Sequence, residues 1–233
     1  MPAGADDDEV VDGRAKPGHD GAFSWLTRMM SNLSFIHRYE PGDAPPLLLL
    51  HGTGGDENDL VPLGRLVAPG KALISPRGKV LEGGMPRFFR RLAMGVFDED
   101  DVICRAHELA DFVGEARGAY GFQAPVALGL SNGANIAAAM LLLRPEVLAG
   151  AALLRPMLPL REPAPAKLEG KPVLILAGAM DPIADAAQAS GLTALFKKAG
   201  AAVHSETVPA GHGLSQADVT FAKAWLRTKF PGA

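Results

Sequence analysis

The most constraining feature of this sequence is its alternation between short apolar runs and longer segments of helical period. Runs with the length and composition of buried strands cover residues 47–50, 72–75, 126–130, 151–154, 173–177 and 203–208. Segments with a helical spacing of apolar side chains cover residues 101–120, 132–143, 184–199 and 215–229. This order is typical of βαβ units, in which helices cover both faces of a mainly parallel sheet. The sequence therefore predicts an α/β fold with a doubly wound sheet.

The length and composition favour a single folded domain. The chain has 233 residues, of which 48% are hydrophobic, and this is enough for one large core without a second domain. The first 22 residues are acidic and poor in large apolar side chains. We therefore expect residues 1–30 to form a disordered extension and residues 31–233 to form one domain. Met29 and Met30 are candidate translation starts, because the recognisable domain sequence begins just after them.

Charge and hydropathy exclude several classes of protein. The formal net charge is −3 and no basic block is present, so a nucleic-acid partner is not expected. The apolar runs are far shorter than a membrane-spanning helix, and the N-terminal segment lacks the basic start and apolar stretch of a secretory signal. The single cysteine, Cys104, fits a reducing compartment and is expected to be buried on an amphipathic helix. These features predict a soluble, cytoplasmic protein that does not bind membranes.

The segment Gly129-Leu130-Ser131-Asn132-Gly133 matches the pattern G-x-S-x-G and carries the strongest chemical signal. It lies where a predicted strand ends and a predicted helix begins, the context in which this pattern forms a sharp turn that exposes a serine hydroxyl. The turn strains the backbone of the serine, and the flanking glycines avoid steric clashes. A chance match is the alternative, but the strand-to-helix context argues against it. Ser131 is therefore the predicted nucleophile.

A serine nucleophile requires a general base and an acid that orients the base. Asp181 and His212 each follow a predicted strand, and the carboxyl ends of parallel strands meet at one edge of a sheet. The order serine, aspartate, histidine is also the order found in hydrolases with this serine turn. Asp185 is the nearest rival acid, but it lies within a predicted helix. The other histidines considered lie inside predicted strands or helices, at positions 37, 107 and 204.

A glycine-rich turn at residues 50–56 follows the first strongly apolar run and predicts half of an oxyanion hole. The predicted donors are the backbone amide of Thr53 and that of Asn132, the residue after the nucleophile. A dinucleotide-binding turn would need glycine where Glu57 stands, and the lysine of a P-loop is missing. His51 is not expected to bind a metal, because no other histidine or carboxylate lies at a ligand spacing from it. Its expected role is structural, holding the turn.

With these motifs the chain resembles the small carboxylesterase and phospholipase branch of the α/β-hydrolases, and within it the bacterial esterases associated with hydroquinone and catechol stress. The resemblance runs from about residue 33 to residue 230. It rests on Gly211, His212 and the segments HGTGGDE (51–57), SPRG (75–78), MPRFF (85–89), GLSNGAN (129–135), LRPM (154–157) and GAMDP (178–182).

The resemblance implies an α/β-hydrolase fold without a large cap domain, no metal, no cofactor and often a homodimer. It also implies the triad Ser131, Asp181 and His212 and the oxyanion donors Thr53 and Asn132. Dienelactone hydrolases share the architecture but carry cysteine at the nucleophile position, which disfavours a lactonase. The chain departs from the pattern at residues 184–186, where Ala-Asp-Ala replaces a valine and prolines.

The substrate pocket is predicted at Met85, Phe88, Phe89 and Met157, with the nearby arginines 87, 90 and 91 available to an acidic substrate. The alternative is a loop and short helix in which the aromatic rings pack beneath a lid and the arginines are solvated.

The predicted function is cleavage of small carboxylic esters through an acyl-enzyme. Two alternatives use the same residues: a thioesterase or lysophospholipase, and a non-catalytic binding protein on a hydrolase scaffold.

Overall fold

The computed structural model of the protein describes residues 33–231, so the predicted extension at residues 1–30 lies outside the described residues. The strands are β1 (His37–Glu40), β2 (Asp43–Leu50), β3 (Lys71–Pro76), β4 (Val80–Glu82), β5 (Met85–Arg87), β6 (Arg91–Ala93), β7 (Val96–Phe97), β8 (Val126–Leu130), β9 (Gly150–Leu154), β10 (Pro172–Gly178) and β11 (Ala202–Val208). The helices are α1 (Val61–Val67), α2 (Glu99–Tyr120), α3 (Asn132–Leu143), α4 (Ala186–Lys198) and α5 (Gln216–Lys229). None of the helices in this part of the chain has the length and apolarity needed to cross a membrane.

Seven strands form one sheet in the order β1-β3-β2-β8-β9-β10-β11. Only β1 runs antiparallel to its neighbour, and the other pairs are parallel. Leu50 pairs with Gly129, and Leu130 pairs with Leu154 on the next strand. The carboxyl ends of β2, β8 and β9 therefore lie side by side, and the loops that follow these strands share one edge of the sheet.

Helices cover both faces of the sheet. Alternate side chains of each strand point to opposite faces, and in β2 Leu48 and Leu50 belong to a core cluster that also contains side chains of α2, α3 and α4. Leu47 and Leu49 point the other way and belong to a second core cluster, which contains side chains of α1 and α5. Because both faces are buried at the centre of the sheet, β8, β9 and β10 consist almost entirely of apolar residues. The predicted α/β fold with a doubly wound, mainly parallel sheet is confirmed.

Three local features differ from what the sequence suggested. Residues 85–91 contain strands of two small hairpins, β4–β5 and β6–β7, so the short helix of the alternative interpretation does not form. Helix α4 begins at Ala186, and Asp185 caps it by accepting a hydrogen bond from the Gln188 amide at 2.9 Å. Cys104 is exposed rather than buried, because it lies on the solvent side of α2.

The turn between β8 and α3 is packed too closely for side chains at its two glycines. A Cβ atom on Gly129 would lie 2.5 Å from the Gly133 carbonyl oxygen. A Cβ atom on Gly133 would lie 1.9 Å from the Leu50 carbonyl oxygen and 2.7 Å from that of His51. The turn that carries Ser131 therefore presses directly on the end of β2, where the glycine-rich turn begins.

We expect Gly133→Ala to lower the free energy of unfolding by about 3 kcal/mol, because the added methyl group meets backbone that cannot move aside without separating β2 from α3. Gly114→Ala is the matched control. Gly114 is an exposed position inside α2 with no atom within 4 Å of its would-be Cβ, and alanine there is expected to stabilise the helix by about 0.5–1 kcal/mol. Urea unfolding of both variants measures the difference, and equal stabilities would contradict the close approach.

Candidate active site

Ser131 is held in a strained conformation at the turn between β8 and α3. Its φ of 52° and ψ of −113° lie outside the regions that residues other than glycine usually adopt, at a cost of about 1–3 kcal/mol. Its amide donates to the Leu154 carbonyl at 2.8 Å, and its carbonyl accepts from the Asn135 amide at 2.9 Å. Sheet and helix therefore fix both sides of the residue and direct the hydroxyl away from the core.

The structure brings Ser131, His212 and Asp181 together in one hydrogen-bonded chain. The distance between His212 Nε2 and Ser131 Oγ is 2.8 Å. On the other side of the ring, Nδ1 lies 2.8 Å from Asp181 Oδ2 and 3.0 Å from Oδ1. Asp181 follows β10 and His212 follows β11, so two neighbouring strands deliver both residues to the end of β8. This geometry allows the imidazole to accept the hydroxyl proton while the carboxylate holds its other nitrogen.

The Asp181 carboxylate is kept ionised by its hydrogen bonds. Its side chain has 0% exposed surface, and this burial alone would raise its pKa. The amides of Ala184 and Ile183 donate to Oδ1 at 3.0 and 2.8 Å, and His212 adds a further hydrogen bond. Together these donors outweigh desolvation and hold the pKa of Asp181 below its usual range. The carboxylate is therefore a fixed negative charge beside the His212 ring.

Two free backbone amides flank the serine. Within residues 33–231, neither the Thr53 amide nor the Asn132 amide donates a hydrogen bond to the protein. Asn132 is the first residue of α3, so its N–H is among those that a helix leaves without an internal partner. Thr53 lies in the turn that follows β2, the strand that pairs with β8. Both amides are therefore available to an oxygen atom bound next to Ser131.

His51 holds this turn in place, as the sequence analysis expected. The fully buried ring donates from Nδ1 to the Gly52 carbonyl at 2.7 Å and accepts the Gly78 amide at Nε2 at 3.0 Å. Burial lowers the pKa of His51 below its usual range, although the hydrogen bond to Gly52 acts in the opposite direction. A neutral ring is the form that provides one donor and one acceptor, as these two contacts require.

The four predicted pocket residues occupy two different environments. Met85 is exposed and packs on Gly54, with Sδ 3.6 Å from the position of a Cβ there. Met157 is the third residue after the end of β9 and is nearly buried, with 8% of its surface exposed. Phe88 and Phe89 are instead buried in the core, where their rings pack on those of His51 and Phe97 at centroid distances of 4.7 and 5.1 Å. Of these four side chains, Met85 alone is exposed.

Exposed apolar side chains lie on the two hairpins and next to Asp181 and His212 in the sequence. We call this group the apolar rim, and its members on the two hairpins are Leu81, Met85, Leu92, Met94 and Val96. The others lie close in sequence to Asp181 and His212, namely Met180, Ile183 and Leu214. An ion pair of 2.7 Å between Arg91 and Glu82 ties the two hairpins to each other.

Arg155 clamps the loop that carries His212. Its Nε donates to the Gly211 carbonyl at 2.8 Å and its Nη2 to the Gly213 carbonyl at 3.1 Å, so it holds the residues on both sides of the histidine. Its Nη1 and Nη2 also form a bidentate pair with Asp218, each at 2.8 Å, and both side chains have 0% exposed surface. Asp218 in turn accepts from the amide and hydroxyl of Ser215 at the start of α5.

Comparison with known proteins gives the family. No protein-family model matches the chain. MhqD of Bacillus subtilis (strain 168), a protein named as a hydrolase, is 44% identical over 194 residues, which are 82% of this chain and 97% of MhqD. The crystal structure of a Bacillus cereus carboxylesterase superimposes with a TM-score of 0.85 at 45% identity, covering 88% of this chain and 99% of that chain. This chain belongs to the carboxylesterases of the α/β-hydrolase fold.

A second carboxylesterase, from Mesorhizobium loti, agrees with this assignment. Its crystal structure gives a TM-score of 0.80 at 33% identity and covers 84% of this chain and 96% of that chain. The protein is therefore a carboxylic ester hydrolase, and the predicted resemblance and enzyme class are confirmed.

Two residues that shape the site of this esterase, Arg155 and Asp218, have no role that could be predicted from the sequence. Signals for both were present in the chain. Arg155 is a charged residue directly after a wholly apolar strand, and Asp218 stands three residues after Ser215 in the arrangement of a helix-capping box. Neither signal shows that the two residues contact each other.

We expect Arg155→Met to lower the free energy of unfolding of the esterase by about 3–5 kcal/mol, because Asp218 is left buried without its charge partner. Arg161→Met is the matched control, since its ion pair with Glu99 is formed by a side chain that is 87% exposed and should contribute less than about 1 kcal/mol. Urea unfolding at neutral pH measures both values. Similar losses in the two variants would contradict the role of Arg155 as a clamp.

Proposed function

We propose that this esterase cleaves small carboxylic esters through an acyl-enzyme, with Ser131 as the nucleophile, His212 as the general base and Asp181 as the orienting acid. The observation that carries the proposal is the unbroken hydrogen-bonded chain from Ser131 Oγ through the His212 ring to Asp181. A serine hydroxyl is a weak nucleophile by itself, and this arrangement is what activates it.

In the first half of the reaction, Ser131 Oγ attacks the ester carbonyl carbon while His212 Nε2 takes the hydroxyl proton. The imidazolium that forms is stabilised by the ionised Asp181 carboxylate, whose lowered pKa keeps it charged at neutral pH. The carbonyl oxygen becomes an oxyanion, which the free amides of Thr53 and Asn132 stabilise. The tetrahedral intermediate then collapses. His212 donates the proton to the leaving alkoxide, and the alcohol departs.

In the second half, water enters in place of the alcohol. His212 accepts a proton from the water, which attacks the acyl carbon and forms a second oxyanion in the same hole. Collapse of this intermediate returns the proton from His212 to Ser131 Oγ and releases the carboxylic acid. No group outside the chain of Ser131, His212 and Asp181 is needed to move a proton in either half.

The apolar rim supports an ester with an apolar acyl or alcohol group. Its side chains would lose contact with water when such a group binds, which is favourable by about 25 cal/mol per Å² of buried apolar surface. Thioesters and lysophospholipids also carry apolar acyl chains, so the rim equally favours the alternative of a thioesterase or lysophospholipase. Rates on p-nitrophenyl esters of increasing acyl length separate the two, because a short-ester enzyme loses activity as the chain grows. The complete hydrogen-bonded chain argues against a non-catalytic binding protein.

We expect Ser131→Ala to abolish turnover of p-nitrophenyl butyrate and Asp181→Asn to lower kcat by about 10⁴-fold, because asparagine favours the wrong tautomer of His212. Asp185→Asn is the matched control. Asp185 is an exposed carboxylate only four residues away that caps α4, and asparagine caps helices equally well, so kcat should stay within about twofold of the unmodified value. Steady-state kinetics of the three variants measure these effects.

Substantial activity in the Ser131→Ala variant would refute the nucleophile. Equal losses in the variants at positions 181 and 185 would refute the role of Asp181. Melting temperatures close to that of the unmodified protein ensure that any loss is chemical.

A further inference from the structure

The Thr53 hydroxyl is held by a buried cation. Arg87 is 3% exposed, and its Nη1 donates to Thr53 Oγ1 at 2.7 Å. Thr53 itself is exposed, in the turn whose next residue, Gly54, donates its amide to the Pro86 carbonyl at 3.0 Å. A buried guanidinium in strand β5 therefore supports the side chain of the same residue whose amide is proposed to face the substrate oxygen.

Arg87 itself is fixed on two sides. Its Nε donates to the Phe89 carbonyl at 3.1 Å and lies 3.2 Å from Glu82 Oε2 across the β4–β5 hairpin. Burial lowers the pKa of Arg87, with Glu82 acting in the opposite direction, but an arginine remains charged at neutral pH. The hydroxyl of Thr53 thus accepts a hydrogen bond from a fixed positive charge.

This contact determines where the Thr53 hydroxyl proton points. A guanidinium has only donors, so Arg87 occupies a lone pair of Oγ1 and the O–H bond must turn away from it. None of the residues between 33 and 231 accepts a hydrogen bond from this hydroxyl. The hydroxyl is therefore an unused donor, and donation from a charged group makes it a stronger one.

We propose that the Thr53 hydroxyl is a third donor of the oxyanion hole and that Arg87 is the positioning residue that orients it. This inference rests on the proposed function, because it needs an oxyanion formed by attack of Ser131. Oγ1 and the amide nitrogen belong to one residue and are three bonds apart, so in a gauche rotamer both donors can reach the same oxygen. The positive charge of Arg87 behind the hydroxyl favours the negative charge that develops there.

The test compares Thr53→Val with Thr53→Ser on p-nitrophenyl butyrate. Valine keeps the shape and the backbone amide but removes the hydroxyl, and we expect kcat to fall about 100-fold with little change in KM, because the lost contact forms only in the transition state. Serine restores the hydroxyl and should recover most of this loss. Thr53 is exposed, so both variants are expected to fold, and their melting temperatures verify this.

The affinity of a trifluoromethyl ketone inhibitor distinguishes a third oxyanion donor from a merely structural role of the Thr53 hydroxyl. Such an inhibitor forms a tetrahedral oxyanion adduct with an active serine, so Thr53→Val should weaken its binding about as much as it lowers kcat. A non-reactive ketone of the same shape forms no oxyanion and should bind both proteins alike.

The positioning role of Arg87 is tested by combining its substitution with that of Thr53. Arg87→Met should lower kcat in the unmodified protein but have little further effect in the Thr53→Val background, since a residue that acts through the hydroxyl has nothing left to orient. Additive losses in the double variant would overturn the positioning role of Arg87.

Removal of an oxyanion donor lowers kcat by much more than threefold. The proposal that the Thr53 hydroxyl is a third donor is therefore refuted if kcat of Thr53→Val stays within about threefold of the unmodified value. It is also refuted if KM rises while kcat is unchanged. The proposed function would still stand, provided that Ser131→Ala is inactive. Full activity of Ser131→Ala would instead refute the proposed function itself.

Discussion

The site depends on a contact between backbone segments that only glycine permits. Gly133 leaves room for the carbonyls of Leu50 and His51, with which any Cβ would collide at 1.9 and 2.7 Å. The contact joins the turn that carries Ser131 to the turn that carries Thr53, so their relative position is set by backbone and not by mobile side chains. An oxyanion hole needs this rigidity, because its donors stabilise charge best when they need not move during the reaction.

Buried polar groups fix the remaining loops, each with its hydrogen bonds satisfied. Arg155 donates hydrogen bonds to the carbonyls on both sides of His212, and its charge is neutralised by Asp218. His51 ties the first turn to Gly78. A buried charge or donor without a partner is costly. Each loop therefore has one arrangement of lowest energy, and any other arrangement leaves one of these buried groups unpaired. The side chains of the proposed triad thus take their positions from loops that buried groups such as Arg155 and His51 hold in place.

The sequence predicted best those candidate catalytic residues that lie in loops directly after strands. Ser131, Asp181 and His212 could be placed together because parallel strands deliver their loops to one edge, and the structure brings all three within hydrogen-bonding distance. Two kinds of feature could not be predicted from the sequence. The hairpins β4–β5 and β6–β7 have strands of two or three residues, too short to show a period. The burial of Phe88 and the pairing of Arg155 with Asp218, 63 residues away, depend on tertiary contacts that no local pattern encodes.

We propose that His212 and Asp181 make Ser131 the reactive nucleophile of this esterase. A fluorophosphonate probe reacts covalently with a serine that is activated in this way. Peptide mapping by mass spectrometry after labelling should find the probe on Ser131, and labelling should be much slower in the Asp181→Asn variant than in Asp185→Asn. Modification of a different residue, or an unlabelled Ser131 in a preparation that still hydrolyses esters, would contradict the role of Ser131 as the nucleophile.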